Sequence, residues 1–358
     1  MKNAAFKTTI LLLLSSSSLA SSALSSSSLA QTTLTLPSAV TKALSSGPDV
    51  SSARNTYAKA LANLKARALD PTTLGGDLLS AQQGVTSNLA ALNNAKLSTV
   101  QTVLSQYLSL LESQQTLALN AAQLALDGRN LTIVQAKLAA KSATALEVDQ
   151  KQNALSTSRQ TLSNTQAQLP VQSAGLAKTL GLPTAGVLKV SALPAMSGVK
   201  VSLEALSNGL ESRLPGLISA AQALDSAALQ VKLADNDYTP RRTLEDAQIA
   251  LQNARTALES ERKSASTTLR DGLRGYQDAL EQVKLAGQNL SVQKKTTSQT
   301  QTRFKLGTAA QVEVQTAQVA TLNSQLTLTK AQDNVWKALA TLSVSSGLDL
   351  TNLVEGLK

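Results

Sequence analysis

The chain has 358 residues, with 33 Lys and Arg against 23 Asp and Glu, for a formal charge of +10. It contains neither Cys nor His, which excludes disulfides, thiol chemistry, the usual zinc sites, His-based acid–base catalysis and a lipid anchor on an N-terminal Cys. Hydrophobic residues make up 42% but aromatics only 2%, a composition for long helices packed side by side through small contacts rather than around large rings.

The first element is an address. Lys2 and Lys7 form a positive n-region, Ile10–Leu14 a short apolar core, and Ser28-Leu29-Ala30 a small-x-small cleavage site. This predicts a secretory signal peptide over 1–30, cut after Ala30, with Ala20 and Ala23 as alternative sites. The apolar core is too short to span a bilayer, and no later stretch approaches ~18 uninterrupted apolar residues. The mature chain is expected to be exported, with no transmembrane helix.

The rest of the chain is a repeat. Leu36 stands before Pro48 as Leu203 stands before Pro215, at an offset of 167. LEVDQ at Leu146–Gln150 matches VEVQT at Val312–Thr316, and Leu180-Gly181-Leu182 lies opposite Ser346-Gly347-Leu348, both at 166. The spacing predicts a first helical repeat over 31–182, a Pro/Gly-rich linker over 183–198 and a second repeat over 199–358. Three helices are predicted in each. The first half has a short one from about Asp49 to Leu69, a long one from Leu78 to Ala140 and a medium one from Ala143 to Leu180. The second has Gly216 to Ala234, Leu244 to Lys305 and Ala309 to Ser345. Asp70-Pro71 with Gly75-Gly76, and Asp235-Asn236-Asp237 with Pro240, break the short helices from the long ones.

Val103, Leu110, Leu117, Leu124, Leu131 and Leu138 recur every seven residues, and Leu244, Ala247, Leu251, Ala254 and Leu258 follow 3-4 spacing. These are packing seams of supercoiled helices. The short and medium helices of a half together match its long helix in length. Each half is then a two-layer ribbon, too thin to bury a core alone. The expected fold class is all-α: long antiparallel coiled-coil helices in two repeated halves, with little or no β-structure.

The basic residues are scattered, with short pairs at Arg241–Arg242 and Lys294–Lys295 and no interleaved aromatics, so nucleic acid is not the expected partner. No nucleotide loop or convincing carboxylate pair supports catalysis, and no cofactor is implied. Asp235/Asp237 and Glu259/Glu261 read as loop and helix-surface residues.

The opening LTLPSAVTKALSSGPDV, the duplication and the run Arg303-Phe304-Lys305-Leu306-Gly307-Thr308 with Val314, Ala317 and Gln318 beyond it together resemble the TolC family of outer-membrane efflux ducts, from about Leu34 to Leu350. The resemblance implies a protomer of a trimeric, twelve-helix α-barrel. Its expected role is an exit duct for small molecules or proteins in an efflux or type I secretion system, in the periplasm and/or at the cell outer membrane. Its implied partners are two further copies, a periplasmic adaptor and an inner-membrane transporter.

The resemblance makes the two hairpin tips adaptor-contacting candidates, through Lys141, Ser142 and Ala143 and through Leu306, Gly307, Thr308 and Ala309. The other reading of these residues is an ordinary helix–helix turn with Gly in the left-handed conformation. Some family members carry an acidic ring just past the second tip. Glu313, six residues beyond Gly307, fits such a pore constriction, whereas Thr316, nine beyond, does not. Glu313 also reads as a solvated carboxylate favoured by a helix N-terminus, and its counterpart Glu147 as structural. The family inserts β-strands between its first and second helices. Here Asp70–Asp77 and Asp235–Thr243 are too short for a transmembrane hairpin, whose strands need ~9–11 residues each, and carry no aromatic girdle. The α-barrel is therefore expected without the usual β-barrel. A non-conducting coiled-coil scaffold of the envelope is the alternative function.

Overall fold

A computed structural model describes residues 33–184, 186–193 and 199–354. The predicted signal peptide, with Ala20, Ala23 and Ala30, lies outside the described residues. Two helices of 65 residues dominate, α3 (Gly75–Ala139) and α8 (Arg241–Lys305). At 1.5 Å per residue each is roughly 100 Å long. Each is preceded by a helix of about a third its length, α2 (Pro48–Leu69) and α7 (Pro215–Ala234), and succeeded by one of about half, α4 (Ala145–Thr179) and α9 (Gln311–Ser346). Proline opens both α2 and α7, where its missing N–H costs nothing.

The structure adds helices before these. α1 (Leu36–Ser46) opens on a capping box in which Thr35 and Ser38 exchange hydrogen bonds. It buries Leu36, Ala39, Val40 and Ala43 at helical spacing. In the second half the equivalent stretch is split into α5 (Leu203–Ser207) and α6 (Leu210–Arg213) by Gly209, at φ 72°. The long helix α3 also starts earlier than the glycine pair suggested, at Gly75. In the first turn glycine interrupts no established helix, so the pair there does not stop one.

Four helix ends share one geometry. Lys141, Gly181, Gly307 and Gly347 all sit at positive φ, between 55° and 71°, directly beyond α3, α4, α8 and α9. They pair at an offset of 166, Lys141 with Gly307 and Gly181 with Gly347. Three of the four close by the same crossed pair of backbone bonds, such as Ser142 N–H to Lys137 O at 2.8 Å and Thr308 N–H to Arg303 O at 2.8 Å.

The helices lie in one layer, four columns wide. α2 and α4 flank successive stretches of α3; α7 and α9 flank successive stretches of α8; and α3 also packs against α9 and α7. The column order is α2/α4, α3, α7/α9, α8. The inner columns are packed on two sides. α8 packs along a single narrow stripe, Ala247, Leu258, Ala265, Leu269, Tyr276, Ala279, Ala286, Leu290 and Thr297.

The core sits at mid-height. Leu36, Val40, Val103, Leu104, Tyr107, Leu108 and Leu110 cluster there with Leu176, Leu180 and Val190, and Trp336 packs on their edge. Two buried tyrosines fix the irregular segments that cross this belt. The Tyr107 hydroxyl lies 2.8 Å from both Leu34 O and Ser191 O and accepts from Ser191 N–H at 3.0 Å. It thereby supports the one isolated β-bridge among the described residues, Leu34 to Val190. The Tyr276 hydroxyl accepts from Val199 N–H at 2.7 Å.

Candidate functional site

The two hairpin tips, where α3 turns into α4 and α8 into α9, hold every site residue expected from the sequence. At the first tip Lys141 takes the left-handed position, and the Ser142 hydroxyl donates to Lys137 O at 3.1 Å. Ala143 is half-buried beneath the turn. Thr144 caps α4 through a reciprocal box, with Thr144 N–H donating to Glu147 Oε2 at 2.7 Å. Glu147 is thus spent on capping, as expected.

At the second tip Leu306 is 73% exposed and Gly307 holds φ 71°. Thr308 donates its hydroxyl to Arg303 O at 3.0 Å and Ala309 is half-buried, in the position of Ala143. Phe304, Leu138 and Leu146 add exposed apolar surface around the two turns. Leu138, read from the sequence as a seam residue, is 38% exposed because it lies at the tip, beyond the closest packing of α3 on its neighbours.

Glu313 stands in the first turn of α9. Its Oε1 accepts from Ala310 N–H at 2.9 Å, so it caps the helix as Glu147 does. Its Oε2 lies 3.9 Å from Arg303 Nη2, and its side chain is 47% exposed. One carboxylate oxygen is therefore tied to the backbone and the other faces solvent beside a cation. The arrangement accommodates both sequence readings, a cap and an exposed acid near a tip.

The opposite end is built from two short turns. Asp70–Leu74 joins α2 to α3 and Asp235–Pro240 joins α7 to α8. Asp70 accepts from Thr72 N–H at 2.9 Å and Asn236 from Tyr238 N–H at 2.9 Å, which closes each turn locally. Both are shorter than the ~9–11 residues one membrane-crossing strand needs. Leu69, Leu74, Leu233 and Tyr238 are exposed there. No described helix is long and apolar enough to cross a membrane.

Sequence reasoning missed a third place of interest, on the seam between α3 and α9. Asp333 is 3% exposed there, next to an ion pair of Lys337 with Glu112 at 2.8 Å. Asp333 and Lys337, at i,i+4, have the spacing of a surface helix pair, and only the packing of α9 against a second helix buries the carboxylate.

No protein-family model and no curated protein matches the sequence. Solved structures do. The outer-membrane protein VceC of Vibrio cholerae superposes with a TM-score of 0.65 at 14% identity, over 87% of this chain and 96% of that one. The outer-membrane channel OprN gives 0.66 at 14%, over 87% and 89%. The CmeC outer-membrane channel of Campylobacter jejuni gives 0.68 at 11%, over 87% and 85%. The fold of this chain is that of the TolC-like outer-membrane channels.

Proposed function

We propose that three copies of this chain close into a hollow helical tube that serves as the exit duct of an envelope efflux or type I secretion system. The observation that carries this is the open layer. One edge column is a single long helix, α8; the other is a stacked pair, α2 and α4. Within the chain, long helices alternate with stacked pairs, so α8 of one copy meets α2 and α4 of the next in the same alternation. Such head-to-tail contacts generate a ring when the rotation closes. α8 exposes Ile249, Leu285 and Val292 off its packed stripe, apolar surface that a neighbouring copy would cover.

In this reading the fold likeness and the paired tips at Lys141–Ala143 and Leu306–Ala309 support docking of a periplasmic adaptor, itself coupled to an inner-membrane transporter. Glu313 would form a ring of three carboxylates near the tip. The duplication is the source of the alternation, and 31–182 and 199–358 are its two copies. The short turns at the far end favour a tube lying in the periplasm or abutting the outer membrane, not one crossing it through strands inserted at those turns.

Electron microscopy of the purified mature protein tests this. A threefold hollow tube of roughly 100 Å or more is expected. A solid particle, or a different symmetry, would instead indicate a non-conducting scaffold. Glu313→Gln should alter ion conductance in reconstituted tubes or drug susceptibility in cells. If neither changes, Glu313 is only a helix cap.

A further inference from the structure

The seam between α3 and α9 is the extended contact between the two halves of the layer. One of its side-chain hydrogen bonds is neutral, Gln101 Nε2 donating to Thr341 Oγ1 at 2.9 Å. One level differs. Glu112 of α3 accepts from Lys337 Nζ of α9 at 2.8 Å, with side chains 20% and 31% exposed. One turn before Lys337 on the same helix, Asp333 is almost fully buried, and its Oδ2 has no hydrogen-bond partner among the described residues. Two carboxylates therefore lie near one ammonium, which bonds Glu112 alone and leaves Asp333 buried without a partner. The other charged groups near this level are remote in effect. On α8, Glu281 and Lys284 are exposed and pair with each other at 3.7 Å, and Asp278 is exposed. On α9 itself Lys330 is exposed.

We propose that Asp333, Glu112 and Lys337 form a proton-operated latch on the seam between the two halves. With Asp333 protonated, Lys337 is left to Glu112 and the seam carries one balanced pair. When Asp333 loses its proton, a second buried negative charge competes for Lys337 and repels Glu112, and the seam loosens. Burial, then the Glu112 charge, push the Asp333 carboxyl up to about 7, with Lys337 opposing. The latch therefore works near neutral pH, in a chain that has no His or Cys to titrate there. It is a property of the single chain and does not depend on tube assembly.

Trp336, the sole tryptophan, lies next to Lys337 and packs against the mid-height core, so it reports on the seam. Its emission in the mature wild-type protein should change sigmoidally across neutral pH, with a midpoint of about 7. Asp333→Asn should abolish the transition. Glu112→Gln, which removes the repelling charge, should move the midpoint down by about one pH unit. Lys337→Met should move it up. A flat wild-type profile, or a transition that survives Asp333→Asn, overturns the proposal. If Asp333→Asn does not fold, the opposite shifts from Glu112→Gln and Lys337→Met decide the matter alone, and unmoved midpoints overturn it.

Discussion

Of the four left-handed helix ends, only the first tip lacks glycine. Lys141 holds φ 55° where its counterpart Gly307 holds 71°. A side chain in that region crowds its own backbone, at about 1–2 kcal/mol for a non-glycine residue. Glycine removes that strain but gains freedom in the unfolded chain, which returns part of the benefit. Lys141→Gly should therefore stabilise the tip by about 1 kcal/mol, roughly fivefold in a local opening equilibrium. The reverse change, Gly307→Lys, should cost about the same. A Cβ built at Gly307 meets nothing within 4 Å, so no clash adds to the conformational penalty. The assay is amide hydrogen exchange at the two N–H groups that close the turns, Ser142 to Lys137 O and Thr308 to Arg303 O. Protection at Ser142 should rise about fivefold in Lys141→Gly, and protection at Thr308 should fall by the same factor in Gly307→Lys. The tips are on separate hairpins, so the double swap should show both effects independently. Unchanged or reduced protection of Ser142 in Lys141→Gly would falsify the view that the two tips share one backbone design.

The core and the seam carry three further expected outcomes. Tyr107→Phe removes the hydroxyl placed between Leu34 O and Ser191 N–H, but those two groups still bond each other at 3.1 Å, so the unfolding free energy should fall by only about 1 kcal/mol in urea titration. Gly347→Ala should be worse than Gly307→Ala in the same titration, because at Gly347 the left-handed strain is joined by a Cβ placed 2.9 Å from Arg213 Cβ. Asp333 makes stability depend on pH with a definite sign. Its carboxyl titrates near 7 in the fold against an ordinary 3.8, so the native state holds the extra proton and stability falls as pH rises from about 4 to about 7. The ceiling is about 4 kcal/mol. Asp333→Leu should flatten this slope in thermal melts, and a wild-type melting temperature that rises over the same range contradicts the burial of an unpaired carboxylate.

The long helices and their breaks were legible because they are local. Pro48 and Pro215 each open a helix, and the Asp70-Pro71 turn and Gly307 each end one, on their own chemistry. The offset also places Lys141 opposite Gly307, and both adopt the left-handed conformation that the glycine alone announces. The signal for α1 is equally local but weaker beside the repeat: Thr35, Ser38 and the spacing of Leu36, Ala39, Val40 and Ala43 announce a capped amphipathic helix. The segments pinned by Tyr107 and Tyr276 were not legible. Neither Leu34, Ser191 nor Val199 lies in a periodic stretch, and their partners are more than seventy residues away. The seam at Asp333 was hidden for a related reason. Periodicity shows which face of a helix is apolar, but not that a helix is covered on two sides.

The difference between α3 and α8 explains why aromatics are so scarce. α8 buries only one stripe, much of it alanine, and is largely charged and polar elsewhere, because it packs against neighbours on one side only. α3 serves as an inner column, so it buries Leu97, Val100, Val103, Leu104, Leu108 and Leu111 over a broader face. A layer one helix thick has no interior deep enough for many large rings. Its two fully buried tyrosines sit at mid-height, where α1, the linker and the ends of α4 and α9 thicken the layer. Paucity of aromatics is thus a consequence of thinness. Among the described residues both edge columns pack on one side only, and in the proposed tube that surface meets another copy of the same alternating helices.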